Sequence, residues 1–192
     1  MAELLPVFLN LFGRRVLLVG GGPVAAAKLA QLIAAQAEVR VVAPEIRAEI
    51  ERPEVALVRR RFQATDLDDV WLVVAAATPE VNREVAAAAE ERRIFVNAVD
   101  DPPNASAYLS GVVRRDGLTL AISTSGAAPA LAGLLREGLD ALLPRDLDEW
   151  MIEAHRQRAI WQRDGVPIER RRPLLLDALN TIYEKNRGAP LG

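Results

Sequence analysis

The sequence predicts an α/β fold: a doubly wound, mostly parallel sheet with an antiparallel extension and a small C-terminal helical region. Three observations predict it. Strand-like and helix-like segments alternate over the first hundred residues, some strand segments are apolar throughout, and the first strand ends in a glycine-rich turn that opens a helix. A sheet of this kind presents its ligands beyond the carboxyl ends of the strands.

The elements follow in order. Arg15-Val16-Leu17-Leu18-Val19 reads as a buried strand, and residues 24–35 as a helix rich in alanine and leucine. Residues 38–43 make a second strand, 46–52 a short helix, 55–59 a third strand, and 70–76 a fourth that is apolar enough to be central. Pro79 opens a helix to about Arg92, and Ile94 to Asn97 form the fifth strand. The pattern then changes. Segments 107–114 and 118–123 are strand-like, and the Asp116-Gly117 pair between them signals a hairpin that adds antiparallel strands to the sheet. Residues 126–143 read as a helix with leucines on one face, Pro144 ends it, and helical segments follow at 146–163 and 173–187. The expected organisation is a nucleotide-binding domain over 1–113, a sheet extension and linking helix over 114–144, and a helical region over 145–192.

Composition narrows the function. The chain has 192 residues, 51% hydrophobic, which is ample for a core. Its 24 Lys+Arg nearly cancel 26 Asp+Glu, so no global field marks nucleic acid or a membrane surface as a partner. The absence of cysteine excludes disulfides, thiolate metal sites and a thiol nucleophile, and the single histidine, His155, excludes a multi-histidine metal site within one chain. The apolar N-terminus lacks a basic leader and runs straight into a strand, so a soluble cytoplasmic protein is expected.

Two stretches carry chemistry. Gly20-Gly21-Gly22-Pro23-Val24-Ala25 fits G-x-G-x-x-A between a strand and a helix: Gly20 for the tight turn, Gly22 for backbone approach to a pyrophosphate, and Ala25 for helix packing. Pro23 suits a first helical turn, and the free helix N-terminus holds the anion. After the second strand, where a carboxylate usually binds ribose hydroxyls, stand Pro44 and Glu45, while Arg47 would favour a 2′-phosphate. The other stretch is IFVNAVDDPPNASAY, residues 94–108. Its prolines, Asn104 and Asp101 have the residue types of turns, and so by itself does Asp100.

LPVFLNLFGRRVLLVGGGPVAAAKL, VVAPE, AAATPEVN, VNAVDDP and ISTSGAAPALAGLLRE, in this order over about residues 4–144, together resemble precorrin-2 dehydrogenase, the NAD-dependent module of siroheme synthase. The resemblance implies a Rossmann-type fold, oxidation of precorrin-2 to sirohydrochlorin, and a homodimer. In some relatives it also implies ferrochelatase activity that inserts Fe²⁺. It places dinucleotide contacts at Gly22, Pro23, Val24, Pro44, Glu45, Ala76, Ala77 and Thr78. It matches the active-site aspartate to Asp100 and a pocket hydroxyl to Thr124, beside Ser123 and Ser125, where some relatives have serine. Asp100 is also the residue to which a metal role would fall. Burial beside apolar neighbours would suit Asp100 to accept a proton. Thr124 and Ser125 equally suit capping of a helix that starts near Gly126.

The remaining features have plainer readings. His155 lies in a charged helical segment, and Arg156, Arg158, Arg163 and Arg170-Arg171-Arg172 read as a solvated face, although precorrin-2 carries eight carboxylates that arginine would pair with. Trp150, Trp161 and the leucines at 174–176 and 179 suggest packing at a dimer interface. The rival reading is an NAD-binding regulatory module without catalysis, which needs the glycine turn and no catalytic carboxylate.

Overall fold

The computed structural model describes residues 3–109 and 111–187. The chain divides into two compact units, one of residues 1–109 with 123–128 and one of 110–122 with 129–192. The segment 114–144 thus falls in the second unit apart from 123–128.

The first unit is built on a five-stranded parallel sheet. Its strands are β1 (Arg15–Val19), β2 (Glu38–Val42), β3 (Ala56–Val58), β4 (Leu72–Ala75) and β5 (Phe95–Ala98), in the order β3-β2-β1-β4-β5. The order reverses between β1 and β4, whose registers pair Val16 with Leu72 and Val19 with Ala75. A ligand crevice is expected at that reversal.

Side-chain alternation divides the apolar strands between two cores. Val16 and Leu18 of β1, Val39 and Val41 of β2, and Leu72 and Val74 of β4 pack with Ala25, Leu29 and Leu32 of α1 (Pro23–Ala34). Leu17, Val19, Val42, Val73 and Ala75 face the other way, onto Val85, Ala88 and Ala89 of α2 (Pro79–Glu91). Both faces of the sheet are therefore covered, which explains why these strands read as continuous apolar runs. Each such leucine or valine, fully buried, contributes about 1.5–3 kcal/mol.

Both helices end without glycine. At α1, Gln36 takes φ 54°, its N–H donates to Ile33 O at 2.8 Å, and Ala37 N–H reaches Leu32 O at 3.2 Å. Arg93, φ 57°, closes α2 in the same way, with Ile94 N–H on Ala89 O at 3.0 Å. These are left-handed caps that satisfy the last carbonyls. The short helix expected over 46–52 is a single 3-10 turn, Ala48–Ile50.

In the second unit, β6 (Gly111–Arg115) and β7 (Leu118–Ile122) pair antiparallel, with Asp116 and Gly117 at φ 51° and 84° as an Asp-Gly hairpin requires. The pair forms a sheet of its own rather than adding strands to the parallel one. The helices are α3 (Pro129–Leu142), α4 (Leu147–Arg163) and α5 (Ile168–Arg187). α3 starts three residues later than Gly126. α5 starts before Pro173 and contains it, because a proline in the second turn removes only one intrahelical hydrogen bond while α5 packs against α4. Arg115 donates to the carbonyls of Asp140 and Pro144, where α3 ends. Trp161 is buried within this unit, and His155 is exposed.

Candidate active site

The glycine turn lies between the ends of β2 and β4, and its three glycines are needed for different reasons. Gly20 has φ 128°, and a Cβ there would stand 2.2 Å from Ala76 O. At Gly21 a Cβ would stand 1.9 Å from Glu45 O, and Arg47 N–H donates to Gly21 O at 3.1 Å. Gly22, the N-cap of α1, is the contrasting case: a Cβ there meets nothing within 4 Å. No protein neighbour requires its bare backbone, whereas a phosphate drawn close to that backbone does. The first helical bond runs from Ala26 N–H to Gly22 O at 3.1 Å. Pro23 has no N–H, which leaves the Val24 and Ala25 amides without intrahelical acceptors and suited to an anion. These residues fit the diphosphate of a dinucleotide.

Past β2, Pro44 and Glu45 are exposed beside the turn. Arg47 is engaged bidentately with Glu49, at 2.9 and 3.1 Å. The hydrogen bonds from Arg47 hold the Glu49 carboxyl down at about 2. The guanidinium that a 2′-phosphate would need is thus paired already.

Beyond β4 and β5 opens a cleft of about 540 Å³, walled by Val24, Ala76, Ala77, Asn82 and Asp100, with Asp101 and Asn104 at one side. Asp100 follows β5 in a tight turn at φ 55°, a left-handed conformation that aspartate tolerates better than most residues. It is exposed, so the expected burial among apolar neighbours is not met: the turn lifts the residue off the sheet. Asp101 is engaged otherwise, both oxygens accepting from Asn104 Nδ2 at 3.0 and 2.8 Å. Lys28 lies one helical turn beyond Val24 on α1 and is half-buried. Burial pushes its ammonium below the usual lysine range, against the pull of the Asp100 carboxylate, which raises it. A cation therefore stands within electrostatic reach of Asp100.

The Ala76-Ala77-Thr78 stretch is held from α2. Ala77 N–H donates to Asn82 Oδ1 at 3.1 Å, and Asn82 N–H donates to Thr78 O at 2.9 Å. Thr124 serves a turn of its own: Oγ1 accepts from Ala128 N–H at 3.2 Å and its carbonyl from Ala127 N–H at 2.9 Å. Ser123 Oγ accepts from Ser125 N–H. Thr124 does not wall the cleft, yet its segment touches the loop after Asp100, since a Cβ on Gly126 would stand 2.9 Å from the Pro102 ring. Among the described residues no three histidine, aspartate or glutamate side chains gather as a metal site would need. Arg156 and Arg163 of the second unit form bidentate pairs with Glu153 and Asp164.

Sequence reasoning missed Gly21, Lys28 and Asn82. The signals were a third consecutive glycine, a lone charge inside an apolar helix, and an asparagine in a first helical turn.

A family model described as "Putative NAD(P)-binding" matches residues 7–111, and one described as sirohaem biosynthesis protein, central, matches 115–142. Siroheme synthase 1 of Serratia proteamaculans is 41% identical over 176 residues, 88% of this chain and 37% of the relative. Siroheme synthase 2 of Cronobacter sakazakii is 45% identical over 148 residues, 74% of this chain and 32% of the relative. The chain spans about a third of the length of these curated relatives. Among solved structures, SirC, precorrin-2 dehydrogenase, aligns with TM-score 0.69 and 27% identity over 91% of this chain and 88% of its own.

Proposed function

This chain belongs to the NAD(P)-binding family of sirohaem biosynthesis proteins, and from that premise we propose that it oxidises precorrin-2 to sirohydrochlorin with NAD. The observation that carries the reading is the position of Asp100, an exposed carboxylate in a left-handed turn that faces the same cleft as Val24 and Ala76–Ala77 across the reversal of strand order.

The oxidation removes two hydrogens from the reduced tetrapyrrole, one as hydride and one as a proton. NAD, when bound, supplies the hydride acceptor. The protein does the rest. The free Val24 and Ala25 amides and the bare Gly22 backbone hold the phosphates, and the crowded contacts of Gly20 and Gly21 fix the turn that presents them. Asp100 receives the proton at the exposed end of the turn, on the wall of the cleft. The Arg47–Glu49 pair supports NAD over its 2′-phosphorylated form.

Iron insertion into the product is the second reading, supported by the same exposed carboxylate: two pyrrolic protons must leave as Fe²⁺ enters, and Asp100 would accept them in turn. A homodimer is supported by the exposed leucines of α3, with Leu134 67% and Leu142 79% exposed. Leu134→Asp with Leu142→Asp should halve the mass seen by light scattering, and an unchanged mass would remove that face from the interface.

The test gives purified protein enzymatically generated precorrin-2 and NAD under anaerobic conditions and follows NADH and sirohydrochlorin by absorbance. Turnover no faster than spontaneous oxidation refutes the dehydrogenase and leaves the regulatory module. Fe²⁺ added to sirohydrochlorin in the same cuvette tests chelation.

A further inference from the structure

Asn82 is the most deeply buried polar side chain on the wall of the cleft, 3% exposed. Its Oδ1 accepts the Ala77 N–H at 3.1 Å. An N–H must meet an acceptor, so the oxygen lies on the Ala77 side and Nδ2 is turned away from it. Nδ2 donates to no described residue, and it is not sealed off either: the buried side-chain atoms without a partner are Asn97 Oδ1 and Trp150 Nε1. A carboxamide fixed at one end, with free N–H groups at the other on the wall of a cleft, is a donor prepared for a ligand.

The sheet order identifies which ligand group reaches it. A dinucleotide lies across the reversal of strand order, with its diphosphate at the N-terminus of the helix after β1. One half then extends over the end of β2, where Pro44 and Glu45 stand, and the other over the end of β4, where Ala76 and Ala77 are held by Asn82. We infer that Asn82 holds the nicotinamide riboside half of the dinucleotide, donating from Nδ2 to an oxygen of that half while Oδ1 fixes the Ala77 turn beside it. The inference rests on the dinucleotide reading of the glycine turn and adds a residue that this motif does not contain. It also explains why an asparagine is found at this point of α2, since an aspartate would lock Ala77 equally well but offer no donor.

The experiment compares NADH and ADP as ligands of the full chain, by NADH fluorescence and by calorimetry. ADP carries the diphosphate and the adenosine and lacks the nicotinamide riboside. Asn82→Asp keeps an oxygen for Ala77 and loses the donor, and Asn82→Ala provides a small side chain should the aspartate disturb folding. Either variant should weaken NADH roughly tenfold, as expected for one or two lost hydrogen bonds, with ADP affinity within about twofold of wild type. Unchanged NADH affinity, or an equal loss for both ligands, would overturn the assignment. A wild-type chain that bound neither ligand would overturn the dinucleotide reading as well.

Discussion

Asn104 Nδ2 donates to both carboxylate oxygens of Asp101, at 3.0 and 2.8 Å, and so separates two adjacent aspartates into a turn residue and an open carboxylate. Asp100→Asn should therefore lower precorrin-2 turnover about a hundredfold or more while leaving NADH affinity intact. Asp101→Asn should retain most activity and lose about 1 kcal/mol of stability in urea. If the two variants exchange these phenotypes, Asp100 is not the proton acceptor.

Lys28 and Lys185 are the only lysines, so the Lys28 signal in a lysine side-chain carbon spectrum has one other lysine to be told from. The Asp100 carboxylate raises the Lys28 ammonium against the larger lowering by burial. Asp100→Asn removes the raising influence, and the Lys28 midpoint should move further down. A midpoint that moves up, or does not move, would mean that the two groups are not coupled.

The two outer glycines of the turn should respond differently to alanine. Gly20→Ala forces a Cβ against the Ala76 carbonyl at φ 128° and should cost about 2 kcal/mol or more. Gly22→Ala adds a Cβ to open space and should stay within about 0.5 kcal/mol of wild type, yet weaken NADH and ADP about tenfold. Normal binding by Gly22→Ala would remove the diphosphate from that position.

Asp66 is 3% exposed and accepts from Arg60 at 2.6 and 2.7 Å and from Gln63 N–H at 2.9 Å. Burial pushes its carboxyl up, but the Arg60 and Gln63 bonds and the charges of Arg60 and Arg40 outweigh it and hold the group below its ordinary value. A depressed folded-state pKa gives stability that is present above the unfolded value near pH 4 and lost as pH falls through the folded one. Asp66→Asn should thus be less stable by about 1–3 kcal/mol at pH 7, with the gap narrowing toward pH 3 in urea melts. A gap that does not depend on pH would refute the ionic part of the argument.

Much of the fold could be read directly from the chain. Val16 to Val19 and Leu72 to Ala75 are apolar at every position because each alternate side chain meets a different helix layer, and the Asp116-Gly117 hairpin has the two positive φ angles that its residue types permit. Helix ends were less legible. Gln36 and Arg93 take left-handed caps that glycine would have advertised, and α5 runs through Pro173 where local chemistry suggested a start.

The sequence by itself determined the parallel sheet and the glycine turn, because periodicity and backbone freedom are local properties, and its motif match singled out Asp100 over Asp101 as the candidate carboxylate. Only the tertiary structure decided which carboxylate is open, which glycine faces empty space and which asparagine presents a donor to the cleft. Those depend on what stands opposite each atom: Asn104 across from Asp101, Ala76 and Glu45 across from Gly20 and Gly21, and Ala77 across from Asn82. Such pairings join residues through folding, and no spacing along the chain specifies them.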